Sequence, residues 1–147
     1  MRISAKGEYA IRATLDLALH QQEGRVPIQA VARRQGIPQR YLEQVLLLLK
    51  RAGFLESKRG AAGGYALVRP PGELSVGDVL RAVDGRVAPP EGAGRSHGQG
   101  KERDADVAAL WQEVADAVGV VIDRTTFADL ADRARARRSP HRAVYHI

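Results

Sequence analysis

Within the short stretch 39–44 the chain sets Gln39, Arg40, Tyr41, Glu43 and Gln44 close together, side chains that donate and accept hydrogen bonds but include no nucleophile. Their chemistry is recognition. The Arg40 guanidinium matches the O6 and N7 edge of guanine, and the Gln39 and Gln44 amides match adenine or a phosphate. Glu43 suits either an accepted bond from cytosine N4 or an ion pair that orients Arg40. Tyr41 suits packing at a core edge with its hydroxyl outward and a phosphate contact equally well. A second set follows at Lys58, Arg59 and Gly60, with further glycines at 63 and 64. Glycine there opens backbone conformations closed to other residues, so the segment could approach a groove closely. Arg59 is then the candidate for a narrow minor groove. The competing readings are a loose hairpin end, or a phosphate cradle for a nucleotide. The cradle is disfavoured because the glycines lack a following helix and a Lys-Ser/Thr pair.

The surrounding elements must aim these groups. Ile28, Val31 and Ala32 repeat on one helical face, with Pro27 at its start and a stop-type Gly36 at its end. Pro38 opens a second helix in which Leu42, Val45, Leu46 and Leu49 form the apolar stripe and the recognition set lies elsewhere. Two short helices about a glycine turn outline a helix-turn-helix, whose second helix enters the major groove with its N-terminal residues on base edges. The run Leu46-Leu47-Leu48 exceeds what one face can bury, so part of it is expected against another helix or a partner subunit. Gly53 ends the helix, and the runs 54–58 and 65–69 flank the Gly-rich tip as strands of a hairpin wing.

Before this core, Ser4 caps a helix to about His20, with Ile11, Leu15, Ala18 and Leu19 as its stripe and Ala10, Ala13 and Leu17 widening it. After it, Ser75 and Asp78 start a helix that buries Val76, Val79, Leu80 and Val83 and stops at Gly85. The sequence then turns Pro/Gly-rich to about Asp104 and reads as a mobile loop. From Asp106, Val107, Leu110, Trp111, Val114, Val118, Val121 and Ile122 repeat at helical spacing. Nothing left in the chain is large enough to cover that stripe, so the helix is expected to pair with a symmetry mate, with an intrachain contact to the first helix as the alternative. A further helix begins near Thr125, with Phe127, Leu130, Ala131 and Ala134 inward. Arg133, Arg135, Arg137 and Arg138 after it suit a solvated tail better than an added phosphate contact.

The opening residues 1–10, the Tyr41-Leu42-Glu43-Gln44 core and Arg59-Gly60 followed by Gly63-Gly64-Tyr65 together resemble the Rrf-type winged-helix transcriptional regulators, the IscR/NsrR/CymR family. Three separated motifs agree in order and spacing over nearly the whole chain. The resemblance implies a mainly α fold with a small β-hairpin wing, a winged helix-turn-helix domain plus a long dimerisation helix, and phosphate contacts from Arg2 and Lys6. In cluster-binding members the loop after the fourth helix carries three cysteines that hold an iron–sulfur cluster. Here it has none, and the chain is cysteine-free, so cluster sensing is not carried over. Some cluster-free relatives answer to cysteine metabolism through a partner enzyme, but the resemblance singles out no branch.

The expected organisation is a DNA-binding domain at 1–84, a flexible loop at 85–104, a dimerisation helix with its following helix at 105–138, and a tail at 139–147. A chain of 147 residues that is 44% hydrophobic can bury a core, and its net charge of +6, mostly arginine, suits a phosphate-rich partner. Without cysteine there are no disulfides or thiolate metal sites. His97, His141 and His146 are isolated, so no metal or cofactor is expected. No apolar leader and no run of ~20 apolar residues appears, which points to a cytoplasmic protein with no membrane contact. The expected function is a homodimeric regulator, in the first instance a repressor, on a pseudo-palindromic site in double-stranded DNA. An effector small molecule or partner protein would bind near the 85–104 loop or the groove between the dimer helices. The alternative is a protein-interaction module with only non-specific DNA affinity. No catalytic constellation argues for an enzyme.

Overall fold

Among the described residues a glycine-punctuated helical frame carries one hairpin. The computed structural model describes residues 3–85 and 101–139, with side chains from residue 104 in the second stretch. Its elements are α1 (Ala5–His20), α2 (Ile28–Gln35), α3 (Gln39–Arg51), β1 (Leu55–Lys58), β2 (Gly64–Leu67), α4 (Val76–Asp84), α5 (Lys101–Arg124) and α6 (Phe127–Arg138). The expected mainly α architecture with a two-stranded wing is present. Ser4 caps α1 by accepting from the Gly7 N–H, and its hydroxyl donates to Asp84 Oδ1 at 2.5 Å, tying the start of α1 to the end of α4. Gly36 ends α2 at φ 63°, the left-handed conformation that costs glycine no Cβ clash, and so turns the chain into α3.

α1 is the central helix and packs against α2, α3, α4 and α6. Of the expected stripe Ala18 is fully buried while Ile11, Leu15 and Leu19 are half-buried, and the innermost face joins Ala18 to Ala10, Ala13 and Leu17, which were expected to widen the stripe, and to Thr14. Small residues win there because four neighbouring helices must approach one backbone closely. Leu42, Val45, Leu46 and Leu49 of α3, Val79 and Leu80 of α4 and Phe127 of α6 complete the core. Capping boxes begin α4 (Ser75 with Asp78) and α6 (Thr126 with Asp129), and the two starts are bridged: Val76 N–H donates to the Thr125 carbonyl at 2.9 Å and Phe127 N–H to that of Leu74 at 3.0 Å.

Candidate nucleic-acid interface

The recognition set divides by its place on α3. Gln39, Arg40, Glu43 and Gln44 are exposed, while Leu42, Val45, Leu46 and Leu49 behind them are fully buried. Tyr41 is half-buried and meets Tyr9 of α1 edge-to-face, with centroids 5.4 Å apart and planes at 81°. Its ring is therefore a packing element between α1 and α3. The Arg12 guanidinium sits 5.8 Å over the Tyr9 ring and also donates to the Gln35 carbonyl at the end of α2.

A charged network that sequence reasoning missed holds α2 against α1. The Asp16 side chain, 1% exposed, accepts from Arg34 Nη2 at 2.7 Å and Nε at 2.9 Å and from Gln35 Nε2 at 3.0 Å. The hydrogen bond to Asp16, against partial burial, holds the Arg34 guanidinium above its ordinary pKa. His20 adds a ring nitrogen 2.8 Å from the Asp16 carbonyl. The available signal was a carboxylate between Leu15 and Leu17 on a helix with a wide apolar face, where a buried charge demands a partner.

The wing is β1 paired antiparallel to β2, from Leu55 opposite Leu67 to Lys58 opposite Gly64. Val26 and Tyr65 exchange N–H to carbonyl bonds of 2.9 and 2.8 Å, fastening the wing to the start of α2. At Gly64, φ 142°, a Cβ would lie 2.5 Å from the Val26 carbonyl group, so only glycine lets the two backbones meet. Lys58, Arg59 and Gly60 are exposed at the tip, with Gly60 at φ 107°. Between tip and α2 lies an open cleft of about 290 Å³, lined by Pro27, Gln29, Lys58, Gly60, Gly63 and Tyr65 among others. On the other side Lys50 of α3 donates to Ser57 Oγ of β1 at 2.6 Å, so the wing is braced on both helices. Lys6 is half-buried near the start of α1, and Arg2 lies outside the described residues.

Residues 3–133 match the family model described as "Rrf2: Iron-dependent Transcriptional regulator". The chain belongs to the Rrf2 family. Among its Rrf2 relatives, the HTH-type transcriptional regulator IscR of Serratia proteamaculans (strain 568) is 39% identical over 132 residues, covering 90% of this chain and 80% of that protein. CymR, the global cysteine regulator of B. subtilis, has a structure similar at a TM-score of 0.76 and 34% identity, over 90% of this chain and 98% of that one. The structure of T. potens IscR is similar at 0.71 and 35% identity, over 91% and 88%. The fold is thus the winged helix of Rrf2 transcriptional regulators, and the enzyme class falls away with membership in a family of regulators.

The expected pairing residues all lie on α5. α5 begins at Lys101, several residues before the apolar repeat that marked it in the sequence. Its intrachain neighbour is chiefly α4, with Arg81 Nη1 donating to Asp123 Oδ1 at 2.7 Å. Trp111, Val118 and Ile122 are half-buried, whereas Val107, Leu110, Val114 and Val121 stand between 36% and 52% exposed. No helix among the described residues is long and apolar enough to cross a membrane.

Proposed function

We propose that this Rrf2 chain is a sequence-specific DNA-binding regulator that acts as a homodimer, without an iron–sulfur cluster, and represses by occupying a pseudo-palindromic operator. The observation that carries the reading is the division of α3. Its polar N-terminal groups Gln39, Arg40, Glu43 and Gln44 face solvent, its leucines are sealed in the core, and the basic tip at Lys58 and Arg59 stands on an adjoining hairpin. One rigid unit then offers a helix to the major groove and an arginine to the neighbouring minor groove. In this reading residues 1–84 engage the duplex, with Arg2, Lys6 and Lys58 on phosphates, Gly60 letting the tip approach, and Tyr41 adding at most its hydroxyl.

The exposed α5 stripe supports pairing of residues 105–138 with those of a second copy. Two recognition helices would then meet half-sites about one helical turn, ~34–36 Å, apart. The iron of the family description does not fit this donor set. The chain has no cysteine, and among the described residues no three His, Asp or Glu side chains converge. A small-molecule effector or partner protein would act through the 85–104 segment or the groove between paired α5 helices.

The test compares a duplex selected by the purified protein from a random pool with random duplex, titrated at physiological salt. The expected result is tight binding to the selected duplex only. Arg40→Ala should cost ~1–3 kcal/mol on that duplex and relax preference at one position per half-site. Equal affinity for both duplexes would leave only the salt-driven phosphate term and defeat the reading.

A further inference from the structure

Among the leucines of α3, Leu47 stands furthest out of the core. Leu47 is 44% exposed, although Leu46 and Leu49 beside it are fully buried. A lone exposed leucine ordinarily asks for no explanation. The position of this one does. Seven residues of α-helix bring the chain back to within about 20° of the same direction, so Leu47 projects beside Arg40, two turns further along. Arg40, Glu43, Gln44 and Leu47 therefore stand at i, i+3, i+4 and i+7 of one exposed face. The base-reading residues of a homeodomain helix have the same spacing along the major groove. Arg51 is exposed near this face, and Lys50 beside it is drawn towards Ser57 of the wing, so the leucine is framed by cations but not covered by them.

We propose that Leu47 is a specificity-determining residue that contacts the 5-methyl group of a pyrimidine in the major groove; the proposal rests on the DNA-reading role of α3 argued above. A leucine neither donates nor accepts a hydrogen bond. Set against the edge of guanine, adenine or cytosine it would leave a polar group without its water, at a cost. The 5-methyl carbon is the one apolar group that a base pair presents in that groove. The surrounding positive charge favours duplex DNA as the occupant over a second protein surface. Thymine is the ordinary source of the methyl group, and 5-methylcytosine presents the same chemistry.

The experiment uses the full-length protein and the duplex it selects from a random pool. Each thymine of the half-site is replaced in turn by deoxyuridine, which removes the methyl and nothing else. Wild-type protein should lose about fourfold in affinity at one position per half-site, and about fifteenfold when both half-sites are altered, the worth of one buried carbon each. Leu47→Ser, which alters a solvent-exposed position, should bind more weakly and lose that methyl dependence, whereas Leu47→Met should retain it. At the same position, 5-methylcytosine should be bound more tightly than cytosine by wild type and not by Leu47→Ser. Identical methyl profiles for wild type and Leu47→Ser overturn the assignment while leaving the regulator reading intact. Failure to select any sequence overturns both. A change of molecular mass by light scattering in Leu47→Ser would assign the leucine to a protein contact and overturn it also.

Discussion

Asp16 shows how a single charged residue inside the frame serves the surface. Its carboxylate is buried, and the side chains that satisfy it, Arg34 and Gln35, sit at the end of the helix preceding the recognition turn. Removing the cation strands the anion. Arg34→Met should lower unfolding stability by about 3 kcal/mol, the lower end for a broken buried pair because Arg34 itself is one-third exposed. The double variant Asp16→Leu with Arg34→Met should recover most of that loss, since replacing both partners by apolar groups removes the uncompensated charge. Urea titrations of the three proteins check it. The recognition residues themselves were legible in the sequence, because polar side chains opposite a leucine stripe need no tertiary information. Their supporting partners were not: that Tyr41 meets Tyr9 or Asp16 meets Arg34 depends on where two separate helices cross.

At the scale of elements, local signals decide the ends and distant ones the faces. Ser4, Ser75 and Gly85 marked helix boundaries correctly because a cap is satisfied within one turn of its own chain. Ser75→Ala should cost about 1 kcal/mol, read as a lower urea midpoint. For Asp78 burial works to raise the pKa, yet the Ser75 hydrogen bonds and Arg81 prevail and hold it below the usual carboxylate value. A depressed folded pKa gives stability that is present above the unfolded value near ~3.9 and lost as pH falls through the folded one. Asp78→Asn should therefore be less stable than wild type at neutral pH, with the gap closing below about pH 4 in thermal melts. At the wing, Gly64→Ala would drive a Cβ into the Val26 carbonyl group. It should weaken duplex binding while leaving the helical far-UV signal in place, because the fault is confined to the fastening of the hairpin. The stripe of α1 was only partly placed from sequence: Ala18 and the widening residues Ala10, Ala13 and Leu17 are innermost while Ile11, Leu15 and Leu19 are not, because across so wide an apolar face periodicity alone does not rank its two sides.

At the scale of the whole molecule the apolar surface left in solvent gathers on α5. Its half-buried residues Trp111, Val118 and Ile122 and its exposed residues Val107, Leu110, Val114 and Val121 form one continuous stripe that its own chain covers on one edge. Leu110→Asp places a charge in the middle of the proposed subunit contact. The expected outcome is a monomer by light scattering, with affinity for a two-half-site duplex reduced to that for a single half-site. An unchanged dimer would move the contact elsewhere.

By itself the sequence determined the order of helices, the turn between α2 and α3, the hairpin and the polar face of α3. Each is written in residues within a turn or two of one another, where periodicity, caps and glycines act. Only the tertiary structure decided which side of α1 is innermost, that Asp16 is paired, that Val26 clasps the wing and that Leu47 remains in solvent. Those outcomes depend on how several helices share one limited interior, and burial there is settled by all of them together.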